Sequence, residues 1–450
     1  MKKIIYLFTV LAFFLLPIKM QAQSYFSSER CFRTSCCYGD GLQMTYTQTS
    51  LLYTGRFFKG LPGNSIPNTQ ILNGYAVSDM AIIHDTLYIA GTTSGNKGFY
   101  GWANTYNNQA WTFNIYTFEP SDTNYLKNAR KIKVFRSDGD LHVLLIGDRV
   151  YRNDTRSCII DVKNNSTCRL AFSPVENYDD VELTENYVVT VERKGNGDPK
   201  GEPFYLRILP KSSFSLSNAM FNTYYANGYP VAVSAPLLQA VGGDSVVLAF
   251  NNGSSYYLGT FSINSGTLYA HKQYTVPKSN TVTVNDMAYN PDMDAFMVAY
   301  KVNNTGMTDI YLCTNYPSLS LYQSSKPNSQ HSFSIKNIVS CNYNPSWDFY
   351  ATGYIPANNF FNRLYIVDPG LCITTLEHSM TVSDYSTLDT LHEPTIDSLT
   401  IYPATQTCST DFLQLDLDCD DQHIGWGLDG DGQDDGDHGR NVEESDSDKE

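Results

Sequence analysis

Residues 286–300 read Asp-Met-Ala-Tyr-Asn-Pro-Asp-Met-Asp-Ala-Phe-Met-Val-Ala-Tyr, and this stretch defines a unit that recurs along the chain. A short apolar run leads into a turn at residues 290–294, and a second apolar and aromatic run follows. Asn, Pro and Asp residues between two such runs predict a β-hairpin. An earlier copy at residues 79–91 shares the Asp-Met-Ala start and an Asp in its turn. The sequence therefore indicates an internal repeat of hairpins.

The repeat has a regular period. Six second strands of these hairpins begin at residues 87, 141, 187, 246, 296 and 349, which gives a mean spacing near 52 residues. A further short strand follows each of them, and no helical period separates the strands. Three or four strands per period of this length are typical of a β-propeller blade, whereas β-sandwich domains need roughly 100 residues each. We therefore predict an all-β fold, a β-propeller of antiparallel strands with six blades, while five to seven blades fit the same pattern. The segment from Leu42 or the one after Cys372 would supply a seventh blade or close the ring.

The start of the chain predicts export. Lys2 and Lys3 precede an apolar run at residues 4–17, and small residues end at Ala22, as in a secretory signal peptide. The apolar run is too short to span a membrane comfortably, so we expect no transmembrane segment in the mature chain. This start and the Gln-Ala-Gln-Ser junction resemble those of secreted Bacteroidota proteins. The chain as a whole resembles a β-propeller-like repeat protein of that group, which implies a secreted or periplasmic location, including the cell surface.

Composition divides the chain into five predicted parts. They are a signal peptide at 1–22, a Cys-containing strap at 23–66, the propeller at 67–372, a β-rich extension or ring closure at 373–420, and a disordered acidic tail at 421–450. From residue 411 onward there are 15 acidic and 2 basic residues, against a net charge of −15 for the whole chain. The body is therefore nearly neutral, and without a basic face we expect no nucleic-acid partner.

The cysteines predict disulfides. The chain has 10 Cys, an even number that favours disulfides in an exported protein. Cys158 and Cys168 flank a short polar loop and are the simplest local pair, and Cys372 and Cys408 would tie the ends of the C-terminal extension. The other cysteines leave their connectivity open, and they lack the spacing of a zinc site.

Two carboxylates and one aromatic stretch are the candidate functional residues. Asp79 and Asp286 occupy the same place in two repeats, where they would serve as acid and base in glycoside cleavage if both faced a central channel. The alternative is that each Asp binds a neighbouring backbone amide. The aromatic residues at 99–111 suit the faces of sugar rings, but they would also suit packing between blades. The candidate ligand-binding residues are Tyr100, Trp102, Tyr106 and Trp111.

The acidic tail is the only candidate metal site. Its Asp and Gly residues resemble calcium loops, with Asp429, Asp431, Asp435 and Asp437 as ligands, but Val442 stands where an EF-hand starting at Asp431 needs Glu. We therefore expect a solvated tail, with calcium as the alternative and no other cofactor. Catalytic motifs of metalloproteases and serine hydrolases are absent from the sequence, as are those of nucleotide-binding proteins.

These observations predict a secreted, non-catalytic binding or scaffold module whose ligand is a glycan or a cell-envelope protein. One alternative is a carbohydrate-active hydrolase or lyase that uses channel-facing carboxylates. The other alternative is a structural surface protein that associates through the edges of its sheets.

Overall fold

The structure is a computed structural model, and every regular element that it describes is a β-strand. The described residues are 33–37, 41–48, 54–59, 66–83, 86–105, 110–118, 124–151, 154–172, 176–194, 204–216, 222–225, 232, 235–303, 305–327, 334–344, 347–354, 363–367, 373–375, 381–384, 389–390, 395–399, 401–407, 409–413, 416–417 and 424–427. The all-β prediction is confirmed for these residues.

The described strands form seven antiparallel sheets of five strands, which we number I to VII. In sheets I to VI the first four strands follow one another in the chain. Sheet I contains β1 (Arg33–Cys37), β2 (Gly41–Gln48), β3 (Thr54–Lys59) and β4 (Ile66–Asn73). Sheet II contains β5 (Tyr75–Ile83), β6 (Thr86–Thr93), β7 (Gly98–Asn104) and β8 (Thr112–Phe118). Sheet III contains β9 (Asn124–Ser137), β10 (Asp140–Tyr151), β11 (Asp154–Lys163) and β12 (Thr167–Phe172).

The next three sheets repeat this order. Sheet IV contains β13 (Glu176–Leu183), β14 (Tyr187–Lys194), β15 (Tyr205–Pro210) and β16 (Asn222–Tyr225). Sheet V contains β17 (Leu237–Ala240), β18 (Ser245–Asn252), β19 (Ser255–Asn264) and β20 (Thr267–Pro277). Sheet VI contains β21 (Val282–Asn290), β22 (Ala295–Val302), β23 (Thr305–Asn315) and β24 (Ser318–Pro327). Sheet VII begins with β25 (Ser334–Asn344), β26 (Trp347–Tyr354) and β27 (Arg363–Val367).

The C-terminal segment supplies the remaining strands. They are β28 (Ile373–Thr375), β29 (Thr381–Asp384), β30 (Asp389–Thr390), β31 (Thr395–Leu399), β32 (Ile401–Thr407), β33 (Ser409–Leu413), β34 (Asp416–Leu417) and β35 (Ile424–Gly427). Strands β28 to β33 each add a fifth strand to one of sheets VI to I, in that order. Strand β35 pairs with β27 and β34 pairs with β35, so sheet VII is also completed from this segment.

The hairpin predicted from residues 286–300 is confirmed. Strand β21 ends at Asn290 and β22 begins at Ala295. The Asn290 side-chain oxygen accepts hydrogen bonds from the backbone N–H groups of Asp292 (2.9 Å) and Met293 (3.2 Å), which closes the turn. The earlier copy also forms paired strands, β5 and β6, and its turn residues 84–85 lie outside the described part.

Consecutive sheets face one another, and the core lies in layers between them. One layer joins sheets V and VI, and others join II with III, III with IV, and IV with V. Alternate residues of a strand serve opposite layers, as the two-residue period of a strand requires. Ile160 of β11 belongs to the layer on one side of sheet III, and its neighbour Ile159 belongs to the layer on the other side.

The first strand of each sheet contacts the first strand of the next sheet. These contacts run from β1 through β5, β9, β13, β17 and β21 to β25, and β1 in turn contacts β25. Strands β1 to β4, most of whose residues lie in the segment that we expected to form a strap, thus make a sheet of the same pattern as the others. No helix in the described part of the chain is long and apolar enough to cross a membrane.

Candidate functional site

The first strands of five sheets share a bulge, and in sheets II and VI it sets the position of the candidate carboxylates. In sheet II the register shifts between Val77, which lies opposite Gly91, and Asp79, which lies opposite Ala90. A β-bulge of this kind re-aims the side chain that follows it. The residues that follow the corresponding shift in sheets III, IV, VI and VII are Lys131, Asp180, Asp286 and Asn337.

Glycine permits the close backbone approach at two of these bulges. A Cβ atom on Gly91 would lie 1.9 Å from the carbonyl oxygen of Ala76. A Cβ atom on Gly147, opposite the bulge of sheet III, would lie 2.2 Å from the carbonyl oxygen of Asn128. Any other residue at these two positions would force the strands apart. The glycine on the strand opposite the bulge is therefore part of what determines the bulge.

The carboxylates after the bulges connect successive sheets. Asp79, Asp180 and Asp286 are buried, and each accepts a hydrogen bond from a backbone N–H of the first strand in the following sheet. The bonds are Ile132 N–H to Asp79 Oδ2 (2.9 Å), Leu238 N–H to Asp180 Oδ2 (3.0 Å) and Ile338 N–H to Asp286 Oδ2 (3.1 Å). We call these three residues the inner braces. The structure thus places Asp79 and Asp286 in sheets II and VI, and it gives Asp180 the same role in sheet IV.

Opposite charges add to the contact between sheets III and IV. Lys131 Nζ lies 3.1 Å from Asp180 Oδ1, and Lys133 Nζ lies 2.7 Å from Glu182 Oε2. Burial acts to lower the pKa of Lys133, but the carboxylates of Glu182 and Asp180 outweigh it, and the net pKa is raised. Lys133 therefore carries a positive charge at neutral pH. Strand β9 is basic where β13 is acidic, which favours these two sheets as neighbours.

The predicted aromatic ligand site is largely part of the core. Tyr100 is fully buried and its ring stacks on Tyr116, with centroids 4.8 Å apart. Trp111 is 4% exposed, and its backbone N–H donates to Gln70. Neither ring has a face open to a sugar. Trp102 is partly buried, and its Nε1 lacks a hydrogen-bond partner among the described residues. Tyr106 lies outside them.

A buried polar centre between sheets V and VI was not expected from the sequence. Asp309 is fully buried and accepts hydrogen bonds from the hydroxyls of Tyr256, Tyr300 and Ser324. Lys278 Nζ lies 3.0 Å from Asp309 Oδ2 and 4.6 Å from the centroid of the Tyr300 ring. Burial lowers the pKa of Lys278, and burial raises the pKa of Tyr256. The residues come from four strands and one loop, so no spacing in the sequence predicts their meeting.

The geometry of this centre favours a structural role. The Asp309 carboxylate has four donors around its two oxygens, so its acceptor positions are occupied by the protein's own side chains. An acid or base that acts on a substrate needs a free oxygen beside that substrate. The centre therefore ties sheet V to sheet VI, as the inner braces tie other pairs of sheets.

The predicted disulfide between Cys158 and Cys168 does not form. Both residues are buried thiols, and so is Cys313. In the β11–β12 hairpin Cys158 lies opposite Phe172 and Cys168 lies opposite Val162. This offset of four residues corresponds to about 13 Å along the strands, whereas a disulfide needs Cα atoms within about 7 Å. The short loop between the two cysteines suggested proximity, but the register separates them.

We expect these thiols to be unreactive in the folded protein. Burial raises the pKa of Cys158 and the pKa of Cys313 to about 12, so neither forms the reactive thiolate at neutral pH. An alkylating reagent should leave Cys158, Cys168 and Cys313 unmodified in native buffer and modify all three in denaturant, as measured by peptide mass spectrometry. Recovery of a linked peptide pair containing Cys158 and Cys168 would contradict this register.

The other predicted site residues lie outside the described part of the chain. They are Cys372, Cys408 and the calcium candidates Asp429, Asp431, Asp435 and Asp437. Within the described ranges no group of three or more His, Cys, Asp or Glu side chains is placed to hold a metal ion.

Comparison with known proteins assigns no family. No family model matches the chain, and no curated protein matches it. One similar solved structure is a putative 6-phosphogluconolactonase from Bacteroides uniformis, with 10% identity and a TM-score of 0.40, over 84% of this chain and 98% of that one. Another is a putative 6-phosphogluconolactonase from Bacteroides fragilis, with 12% identity and a TM-score of 0.33, over 78% and 99% of the two chains.

A third similar structure is a puromycin-hydrolyzing peptidase from Mycobacterium tuberculosis. Its identity is 9% and its TM-score is 0.34, over 67% of this chain and 52% of that one. Likenesses at this level carry no activity to the present chain. Its function has to be inferred from its own residues.

Proposed function

We propose that this chain is a secreted, non-catalytic scaffold in which sheets I to VII are the blades of a closed β-propeller. The chain-order contacts between first strands and the contact of β1 with β25 support closure of the ring. The four-stranded antiparallel meanders of sheets I to VI support the identification of these sheets with blades. Seven blades differ from the six that the period favoured, because strands β1 to β4 form a further sheet, as the alternative of a seventh blade from the Leu42 segment allowed.

The non-catalytic proposal depends on one observation: the carboxylates of the inner braces accept backbone hydrogen bonds from the following sheet. A glycosidase needs two carboxyl groups about 5–10 Å apart, one of them ready to donate a proton and the other to attack or to activate water. Asp79 and Asp286 lie in different sheets, and each accepts a backbone N–H from the sheet that follows. Asp180 occupies the same position and makes the same contact, so a structural role accounts for all three.

A cell-envelope protein is the ligand class that we place first, and a glycan is second. Burial of Tyr100 and Trp111 removes the aromatic platform on which the glycan prediction depended. Three other tyrosines, Tyr269, Tyr322 and Tyr402, are 48%, 60% and 44% exposed. They lie on β20, β24 and β32 toward the outer side of their sheets. Exposed tyrosine is enriched at protein interfaces, because a rigid aromatic ring gives contact area at little entropic cost.

The proposal is tested with residues 23–450 and the Asp79→Asn, Asp286→Asn double variant. We expect no release of reducing ends from a panel of polysaccharides by either protein, and a lower melting temperature for the variant. Asp180→Asn is the matched control, because it alters an equivalent brace that was never a catalytic candidate. Polysaccharide cleavage by the parent chain would overturn the proposal. Its loss in the double variant but not in Asp180→Asn, with both variants folded, would assign that cleavage to Asp79 and Asp286.

The ligand class is tested separately on a glycan array, with and without a calcium chelator. A blank array supports a protein partner ahead of a glycan. A specific hit would reverse that order and place a glycan first. A hit that disappears on chelation would additionally implicate calcium, and the acidic tail would be deleted next.

A further inference from the structure

The C-terminal segment contributes a strand to every sheet, and it does so in a fixed order. Its strands β28 to β34 begin at residues 373, 381, 389, 395, 401, 409 and 416, at intervals of six to eight residues. They pair in turn with sheets VI, V, IV, III, II, I and VII. The segment therefore visits the sheets in the reverse of their order in the chain and ends at the sheet from which it departed.

The twist of the sheets explains how one extended segment can do this. Adjacent strands rotate by about 20–25°, so the outer strand of a four- or five-stranded sheet lies at a large angle to the first strand. If the first strands run along the axis of a ring, the outer strands run around its circumference. A chain that pairs with one outer strand is then already directed toward the next. A step of six to eight residues spans about 20–26 Å when extended.

The register of the strands agrees with this path. Strands β28 to β33 are all antiparallel to their partners, so the segment keeps one direction around the ring. A segment that crossed back between sheets would alternate in direction. The pairing is uneven: β32 has seven register pairs with β8 and β31 has five with β12, but β30 has only two with β16.

We propose that residues 373–427 form a belt that encircles the ring and holds it closed. Sheet VII gains its fourth strand, β35, only after the segment has passed sheets VI to I. Opening the ring between sheets I and VII would therefore require loss of β33 from β4, or of β34 and β35 from sheet VII. The closing role of the belt rests on the proposed ring. The pairing of the belt with each sheet does not depend on the ring, because it follows from strand register alone.

The belt is tested by cutting its covalent connection in the folded full chain. A protease site is inserted in the segment 368–372, between β27 and β28, and the protein is cleaved and analysed by gel filtration. A reductant is present throughout, so that a disulfide through Cys372 or Cys408 cannot hold the pieces together. We expect both fragments to co-elute in native buffer and to separate only in denaturant. Separation in native buffer, with an unchanged melting temperature for the larger fragment, would overturn the proposal.

Two proline variants of the cleavable chain make the test specific to strand pairing. Pro403 lies on the edge strand β32 and has no N–H to donate. Pro is tolerated on an edge strand where the backbone nitrogen faces away from the neighbouring strand, so the nitrogen of Pro403 faces away from β8. Residue 405 then shares that orientation, and residue 404 donates to β8. We expect Ala404→Pro to lower the denaturant concentration at which the two fragments separate and Thr405→Pro to leave it nearly unchanged. The same denaturant midpoint for both variants would contradict the pairing of β32 with β8, whether or not the ring is closed.

Discussion

Replacing Asp309 with Ala should lower the free energy of unfolding by about 3–5 kcal/mol, because it leaves a buried cation without its counter-ion. Lys278 would keep its ammonium group between the rings of Tyr256 and Tyr300 without the carboxylate that lies 3.0 Å away. The tyrosine and serine hydroxyls around Asp309 would lose their acceptor at the same time. The measurement is equilibrium unfolding in urea, followed by tryptophan fluorescence.

Two variants separate this cause from a general loss of packing. The double variant Lys278→Met, Asp309→Leu removes both charges, and it should recover much of the loss, since apolar replacement of a buried ion pair is often nearly neutral. Asp154→Ala breaks an exposed pair with Arg156 and should leave the unfolding midpoint unchanged. If Asp309→Ala behaved like Asp154→Ala, the polar centre would contribute nothing to joining sheets V and VI.

Replacing Glu192 with Ala should have an effect of similar size, within sheet IV. The side chains of Glu192 and Arg207 are at most 1% exposed, and the Arg207 Nε–H donates to Glu192 on the adjacent strand. Truncating Glu192 leaves the guanidinium in the core without this acceptor, which costs about 3–5 kcal/mol. The unfolding midpoint in guanidinium chloride and the slope of the transition measure this cost.

A double variant that removes both charges provides the control for sheet IV. Glu192→Leu together with Arg207→Met should be much closer to the parent protein than Glu192→Ala alone, because no charge is left unpaired. A double variant that is less stable than the single variant would show that the attraction between Glu192 and Arg207 exceeds the free-energy cost of burying the two charges. It would contradict the explanation that Glu192→Ala is destabilised by the unpaired charge of Arg207.

The sequence predicted the fold class because the hairpin unit is local. Asn290 closes its turn through its own side chain, and the apolar runs on either side are long enough to identify as strands. The number of sheets was harder to predict, since the sequence around β1 to β4 lacks a clear copy of the unit and yet these strands form a sheet. The belt was harder still, because its short strands have no partner near them in the sequence and pair only with distant outer strands.

The candidate site shows the same division between local and distant information. Repetition of Asp79 and Asp286 was visible in the sequence, and it reflects one structural position in two sheets. The role of that position depends on the backbone N–H of Ile132 and Ile338, each more than 50 residues away. Asp180 was missed because its repeat reads Asp-Val-Glu in place of Asp-Met-Ala. A register shift before an acidic residue is the signal that finds all three.

The central claim is that seven sheets close into one ring, and end-on views of the purified chain by electron microscopy test it most directly. Class averages of residues 23–450 should show seven lobes of similar size around a central axis, with no gap in the ring. Six lobes, or an open arc with a gap between its first and last lobes, would contradict this claim.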